Sequence, residues 1–266
     1  MKIGFIGAGK MAEAIMAALL KSKVAAAHEV FASDVSEERR KLLRTRYGIN
    51  IYSENAAIPE SAEVLILAVK PQQLDTVLTE LAPRITSEHL VISIAAGKKV
   101  QGIELLLAEA RVIRVMPNMA CLVAEAMSVF CMGSKATAAD STTATKLLSC
   151  FGKVMELPED KFDAVTALSG SGPAFLAYLL NGMVDAGVQE GLDRGDALLL
   201  AEQTMLGTAK LLIEKGIAPQ ELISSVASAK GTTAAGLSVL EKSDILTVLR
   251  KTINAAAERS KELSAS

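Results

Sequence analysis

Short runs rich in β-branched and other apolar residues alternate with segments of helical periodicity over the first part of the chain. The runs fall at 2–6, 29–32, 64–69, 90–94, 111–116, 127–131 and 153–157. That alternation predicts an α/β fold with a Rossmann-type, doubly wound and mainly parallel sheet over residues 1–157. Within it, Val64-Leu-Ile-Leu-Ala-Val69 is apolar at every position, as a central strand covered by helices on both faces must be, and Pro71 closes it before a helix of that hydrophobicity could run its length.

Beyond Pro158 the pattern changes to long Ala- and Leu-rich segments separated by glycine and proline, at about 160–169, 173–190, 195–215, 219–227, 232–241 and 244–263. Residues 158–266 therefore read as an all-helical domain. Its helices carry apolar residues around more of their circumference than a helix with one buried face needs, as at 197–200 and 211–213. A domain of this size has limited interior for them, which predicts a homodimer, or a larger assembly built on dimers, formed through this half.

Composition narrows the partners. With 28 basic and 30 acidic residues, a net charge of −2 and no long run of either sign, the chain lacks the electrostatic footprint of a nucleic-acid or anionic-membrane binder. The absence of Trp, with 3 Tyr and 6 Phe, also leaves few platforms for base stacking. The 3 cysteines, Cys121, Cys131 and Cys150, match neither a disulfide framework nor paired metal ligands, and are expected to be buried, reduced thiols of a cytoplasmic protein. Lys2 and the apolar residues that follow are interrupted by Gly7, Gly9, Lys10 and Glu13, so they read as strand, turn and helix; no apolar run reaches the roughly 18 residues of a membrane span. His28 and His89 stand outside any motif and are expected at the surface, and with no His/Cys cluster no metal site is expected.

Candidate chemistry begins at the first turn. Gly7-Ala8-Gly9-Lys10-Met11-Ala12 is a GxGxxA sequence between a strand and a helix. Gly7 allows the tight turn, Gly9 lets a pyrophosphate approach the backbone, and Ala12 allows close packing of helix on strand. Free amides and the positive end of the helix dipole would face the phosphates of NADPH or NADH. The second strand ends at Ser33-Asp34, where a carboxylate suits the ribose hydroxyls of NADH, while Arg39 and Arg40 follow closely enough to meet the 2′-phosphate of NADPH. Ala68-Val69-Lys70-Pro71 and Ala95-Ala96-Gly97 follow two further strands at their carboxyl ends, where open α/β sheets bind ligands. In the helical half, Gly231-Thr232-Thr233 precedes an apolar helical stretch at 234–240, which on local pattern describes first a plain helix cap, and otherwise a set of free amides for a substrate carboxylate.

Four further motifs, Ala68-Val-Lys-Pro-Gln72, Arg114-Val-Met-Pro-Asn118, Ala167-Leu-Ser-Gly-Ser-Gly-Pro-Ala174 and Ser228-Ala-Lys-Gly-Thr-Thr233, occur in that order behind the GxGxxA turn. Together they make the chain resemble the pyrroline-5-carboxylate reductase family from end to end. The resemblance implies hydride transfer from NAD(P)H to the C=N bond of Δ1-pyrroline-5-carboxylate, giving L-proline, in an assembly at least dimeric whose active site is shared between subunits. It implies cofactor contacts at Gly7 to Ala12, Asn55, Ala68 to Pro71 and Ala95 to Gly97, and substrate contacts at Ser228 to Thr233. Thr233 is the candidate for the hydroxyl that hydrogen-bonds the ring nitrogen, and Ser169 to Pro173 would line the pocket beneath the nicotinamide. The chain departs from the family pattern at Asn118-Met119-Ala120 and at Ala229-Lys230, near the nicotinamide and the carboxylate loop respectively. Two alternatives share these residues: a reductase of a related cyclic imine carboxylate, and a dinucleotide-binding sensor without turnover. A β-hydroxyacid dehydrogenase would need lysine where Leu176 stands.

Overall fold

A computed structural model of the protein describes residues 1–265. Eight strands form one sheet in the order β3-β2-β1-β4-β5-β6-β7-β8. They are β1 (Ile3–Ile6), β2 (Val30–Ser33), β3 (Asn50–Tyr52), β4 (Val64–Leu67), β5 (Leu90–Ser93), β6 (Arg111–Met116), β7 (Ala126–Met132) and β8 (Gly152–Glu156). The helices between them are α1 (Lys10–Lys21), α2 (Glu37–Tyr47), α3 (Pro71–Leu81), α4 (Val100–Leu106) and α5 (Ala138–Leu148).

The central strand is β1, in parallel register with β2 on one side (Ile3 opposite Val30) and β4 on the other (Ile3 opposite Val64). Strand order reverses direction here, so β1 marks the switch point at which such sheets bind ligands. Alternate residues of β4 serve opposite faces: Val64 and Ile66 pack with Ile15, Met16 and Leu19 of α1, while Leu65 and Leu67 pack with Leu74, Leu78 and Leu81 of α3. The all-apolar run expected to be a central strand is thus covered on both faces. One pair runs antiparallel, β6 with β7. The link at 117–125 holds no more than the 3-10 turn Met119–Val123, and a parallel crossover requires about a dozen residues or more.

Local chemistry sets the helix ends. Ser36 caps α2 by accepting a hydrogen bond from the Arg39 amide at 3.2 Å, Glu37 and Glu38 occupy the first turn, Arg44 and Arg46 the last, and Gly48 ends it at φ 67°. Pro71 opens α3, where its missing N–H is of no consequence.

The remaining chain is helical: α6 (Phe162–Val165), a π-helical turn (Thr166–Gly170), α7 (Gly172–Gln189), α8 (Arg194–Lys215), α9 (Pro219–Val226), α10 (Thr232–Lys242) and α11 (Ile245–Ala265). Two compact units result, one of Met1–Ser171 with the stretch from Ala256 onward, the other Gly172–Ala255. In the first, the end of α11 is fastened by the Ser260 hydroxyl, which donates to Asp163 Oδ1 at 2.6 Å. The second has a small buried cluster, Val184, Ala197 and Ala201, with Leu180 against it. Much of its apolar surface stands open: Tyr178 is 81% exposed, Ile213 72% and Leu199 65%.

The expectation of a surface His89 is corrected. Its ring is buried, with Nδ1 accepting from the Thr86 amide at 3.0 Å and Nε2 facing the Pro59 carbonyl at 3.0 Å. The ring joins the loop between α3 and β5 to Pro59 in the segment before β4, and His28 is the exposed one. Cys121 and Cys131 are buried free thiols, while Cys150 is half-buried. Among the described residues, no helix is long and apolar enough to cross a membrane.

Candidate active site

A cavity of about 490 Å³ opens at the carboxyl ends of β1, β2 and β4. Gly7, Gly9, Ser33, Asp34, Asn55, Ala68, Val69 and Lys70 line it, bringing together sequence-predicted residues from four separate segments. The topology explains the convergence, since the loops after neighbouring parallel strands emerge on one edge of the sheet. Ala8 lies fully buried beneath them, Ala12 is buried in α1, and Lys10 and Met11 open that helix. Pro71 begins α3, and Ala95, Ala96 and Gly97 follow β5, outside the lining of this cavity.

The turn is built for a group held by backbone. Gly7 adopts φ +90°, and a Cβ there would stand 3.0 Å from the Ala68 carbonyl. Gly9 is the N-cap of α1, without a side-chain cap hydrogen bond, and a Cβ placed on it would meet nothing within 4 Å. The first-turn amides of α1 have no intrahelical acceptors. Open space in front of an uncapped helix start is what a pyrophosphate requires, so the residues fit a dinucleotide.

Sequence reasoning did not foresee the struts that hold this turn. Arg39 donates through Nε to the Ala8 carbonyl at 2.5 Å, and through Nη2 to the Gly9 carbonyl at 3.2 Å and to Glu13 Oε2 at 2.5 Å. Glu13 also accepts from Arg46 at 3.0 Å and from the Tyr47 hydroxyl at 3.1 Å. Burial acts to raise the Glu13 pKa, but the hydrogen bonds from Arg39 and Tyr47 and the charges of Arg39 and Arg46 hold it below its ordinary value. Tyr47 shifts the other way, raised by burial and by Glu13. The Ser33 hydroxyl donates to Asn55 Oδ1 at 2.8 Å, and Asn55 donates to Glu80 at 2.9 Å. These partners lie 22 to 34 residues apart in sequence, with no periodicity to announce them.

A second set of contacts arranges the loop after β6. Arg114 is 4% exposed, pairs with Glu159 at 2.8 Å and lies over the Phe162 ring at 4.7 Å. Four residues on, Asn118 caps the following 3-10 turn and donates to the Ser169 carbonyl and hydroxyl, both at 3.3 Å, tying the loop to the π-helical turn. Single π turns of this kind occur often at functional sites. Cys131, beside the Arg114 pair, has its pKa pushed up to about 12 by burial and by the Glu159 charge, so it stays a thiol.

In the helical unit, Gly231 is the N-cap of α10, again without a side-chain cap, and Thr232 and Thr233 are its first residues. The Gly231 amide donates to the Ser228 carbonyl at 3.0 Å, closing a tight loop in which Lys230 takes φ +62°. Ser228, Thr232 and Lys230 are exposed, and Thr233 is half-buried.

A pyrroline-5-carboxylate reductase from Methanosarcina acetivorans is 47% identical over 98% of this chain and 97% of its own length. The chain belongs to the pyrroline-5-carboxylate reductase family. A plant relative, the pyrroline-5-carboxylate reductase of Arabidopsis thaliana, is 39% identical over 100% of the chain and 96% of its own length. Residues 159–263 match the family model for pyrroline-5-carboxylate reductase dimerisation, and residues 2–97 match that described as NADP oxidoreductase coenzyme F420-dependent. Among solved structures, a pyrroline-5-carboxylate reductase from Coxiella burnetii superimposes with a TM-score of 0.94 at 31% identity, covering 99% of this chain and 98% of its own. The Plasmodium falciparum enzyme, solved with NADP bound, gives 0.88 at 28% identity over 99% and 98%. The family's α/β architecture with a helical C-terminal part is therefore also that of this chain.

Proposed function

We propose that this protein is a pyrroline-5-carboxylate reductase, which reduces Δ1-pyrroline-5-carboxylate to L-proline with NADPH or NADH. The observation that carries the reading is a 47% identical relative of that name, aligned over 98% of the chain, whose alignment takes in the uncapped GxGxxA turn.

A bound reduced nicotinamide supplies the hydride for the imine carbon. The chain's own residues bind, orient and stabilise. Gly7 and Ala8 shape the turn, with their own amides bonded to the Ser33 carbonyl and to Asp34, and the amides of Gly9 to Ala12 hold the pyrophosphate; Ser33, Asp34 and Asn55 border the adenosine end, and Ala68 to Pro71 with Ala95 to Gly97 complete the cofactor edge of the sheet. Ser228, Gly231, Thr232 and Thr233 receive the substrate carboxylate, using the positive end of the α10 dipole and its uncapped amides. When hydride reaches carbon, the C=N electron pair moves onto nitrogen. The Thr233 hydroxyl donates a hydrogen bond there, and the cyclic imine, basic enough to arrive protonated, needs no strong acid from the protein. Orientation is the protein's main contribution.

The functional unit is a homodimer, with residues 158–266 as the dimerisation and substrate domain and 1–157 as the dinucleotide domain. Supporting this are the match of residues 159–263 to a dimerisation model and the exposed apolar side chains of Tyr178, Leu199 and Ile213. The enzyme works in the cytoplasm, a reading supported by its free cysteines.

The test is oxidation of NADPH and of NADH with Δ1-pyrroline-5-carboxylate, run beside the six-membered imine carboxylate. Rapid turnover of the five-membered ring is expected. Turnover confined to the six-membered ring, or tight cofactor binding without turnover of either, would replace this reading.

A further inference from the structure

One acid lines the dinucleotide cavity. Asp34 follows β2, half-buried, with Oδ2 accepting the Ala8 amide at 3.0 Å and Oδ1 accepting the Ser36 amide at 2.9 Å. Those two amides fix the plane of the carboxylate. Each carboxylate oxygen offers two lone pairs, so an acceptor position on each is left for a further donor. Two such acceptors suit the vicinal hydroxyls of an adenosine ribose. A 2′-phosphate at the same position carries about −1.5 to −2 charges and cannot donate to a carboxylate when ionised.

The two arginines next along the chain, Arg39 and Arg40, do not line the cavity. Arg39 directs its guanidinium onto the Ala8 and Gly9 carbonyls and onto Glu13, a carboxylate it shares with Arg46. Arg40 turns one nitrogen, Nη1, back onto the Asp34 and Val35 carbonyls, at 2.7 and 2.9 Å. Among the described residues lining the cavity, Lys70 is the one cation, and it follows β4, with β1 between it and β2. The peptide at Ala8 is thus clamped from two sides: Asp34 takes its N–H, and Arg39 donates to its carbonyl.

We propose that Asp34 makes this chain select NADH over NADPH, and that Arg39 is a positioning residue of the phosphate-binding turn rather than a ligand of a 2′-phosphate. The proposal rests on the dinucleotide-binding reading given above and adds to it which cofactor is used.

Equilibrium titration of the full-length protein with NADH and with NADPH tests it without reference to turnover, and 5′-AMP against 2′,5′-ADP isolates the adenosine end. NADH is expected to bind about tenfold or more tightly than NADPH, as like charges a few ångströms apart near a surface require. That preference should narrow at an ionic strength of about 1 M, where screening acts within about 3 Å. Asp34→Asn, which keeps the shape and removes the charge, should bring the two affinities within about threefold of each other by mainly strengthening NADPH. Arg39→Ala should weaken NADH and NADPH by the same factor. Equal or tighter binding of NADPH by the unsubstituted protein overturns the assignment, whatever the variants do, and so does a loss in Arg39→Ala confined to NADPH. Failure of both dinucleotides to bind a protein with an intact circular dichroism spectrum would instead overturn the underlying dinucleotide reading, and the proposal with it.

Discussion

Replacing Glu159 by Ala should destabilise the protein by more than any other loss of a single surface-reaching carboxylate. Arg114 is 4% exposed while Glu159 retains 28%, and one oxygen of Glu159 accepts both from Arg114 Nη1 and from the Val100 amide that opens α4, each at 2.8 Å. Removing one partner of a buried pair leaves an uncompensated charge, a loss of about 3–5 kcal/mol. Water reaching through the Glu159 side, and the Phe162 ring 4.7 Å beneath the guanidinium, pull that figure to its lower end. The amide of α4 left without its acceptor adds about 1 kcal/mol. A net loss of about 3–4 kcal/mol is expected in urea denaturation at fixed protomer concentration, read as a lower midpoint with little change in slope. Arg114→Met combined with Glu159→Ala should recover part of the loss, because no charge is then buried. A Glu159→Ala loss below about 1 kcal/mol, or a double variant as unstable as the sum of the singles, would show that Arg114 finds solvent and that the buried-charge reasoning is wrong.

Four further outcomes are expected. Gly7→Ala forces a left-handed conformation costing about 1–2 kcal/mol, and its methyl group meets the Ala68 carbonyl at 3.0 Å, so dinucleotide affinity in a fluorescence titration should fall by at least about tenfold. Thr233→Ala should lower kcat more than it raises KM in steady-state kinetics; an unchanged kcat would remove Thr233 from the catalytic residues. Leu199→Glu together with Ile213→Glu should shift light-scattering mass from dimer toward monomer, since both apolar side chains stand open in the isolated chain. Glu13 has a folded pKa below its ordinary 4.5, so its contribution to stability is present above that pH and is lost as pH falls through the lower folded value. Glu13→Gln should therefore be less stable than the parent near neutrality and lose less on acidification, with the two denaturation midpoints converging below pH 4.5.

The residues that line the cavity were largely legible because a glycine turn and the ends of parallel strands are marked locally. Gly7 and Gly9 announce a turn whose backbone must be approached, and their place between an apolar strand and a helical pattern says what the turn is for. Thr232 and Thr233 were placed in the first turn of a helix by the same local logic, and α10 begins at Thr232. The strand β3 escaped notice because three residues, Asn50-Ile-Tyr52, are too few to show a period, and its membership of the sheet depends on pairing with β2. The π-helical turn at Thr166–Gly170 escaped for a different reason. Its extra residue is accommodated by tertiary contacts, among them the bonds from Asn118 to Ser169, and no helical periodicity encodes it.

By itself the sequence determined the alternation of strand and helix, the change to an all-helical part, the glycine turn between β1 and α1 and the family whose motifs it carries. Those features depend on residues close together in the chain, where backbone conformation and side-chain periodicity act directly. Tertiary structure alone decided what Asp34, Arg39 and Glu13 do. A carboxylate after β2 can meet a ribose, a backbone amide or an arginine, and only the folded arrangement, with Ala8 between Asp34 and Arg39, specifies which. His89 makes the same point, since nothing local to it predicts that the Pro59 carbonyl, 30 residues away, will bury its ring. Long-range partners are set by which loops the sheet order brings to one edge, and that order is a property of the whole packed sheet.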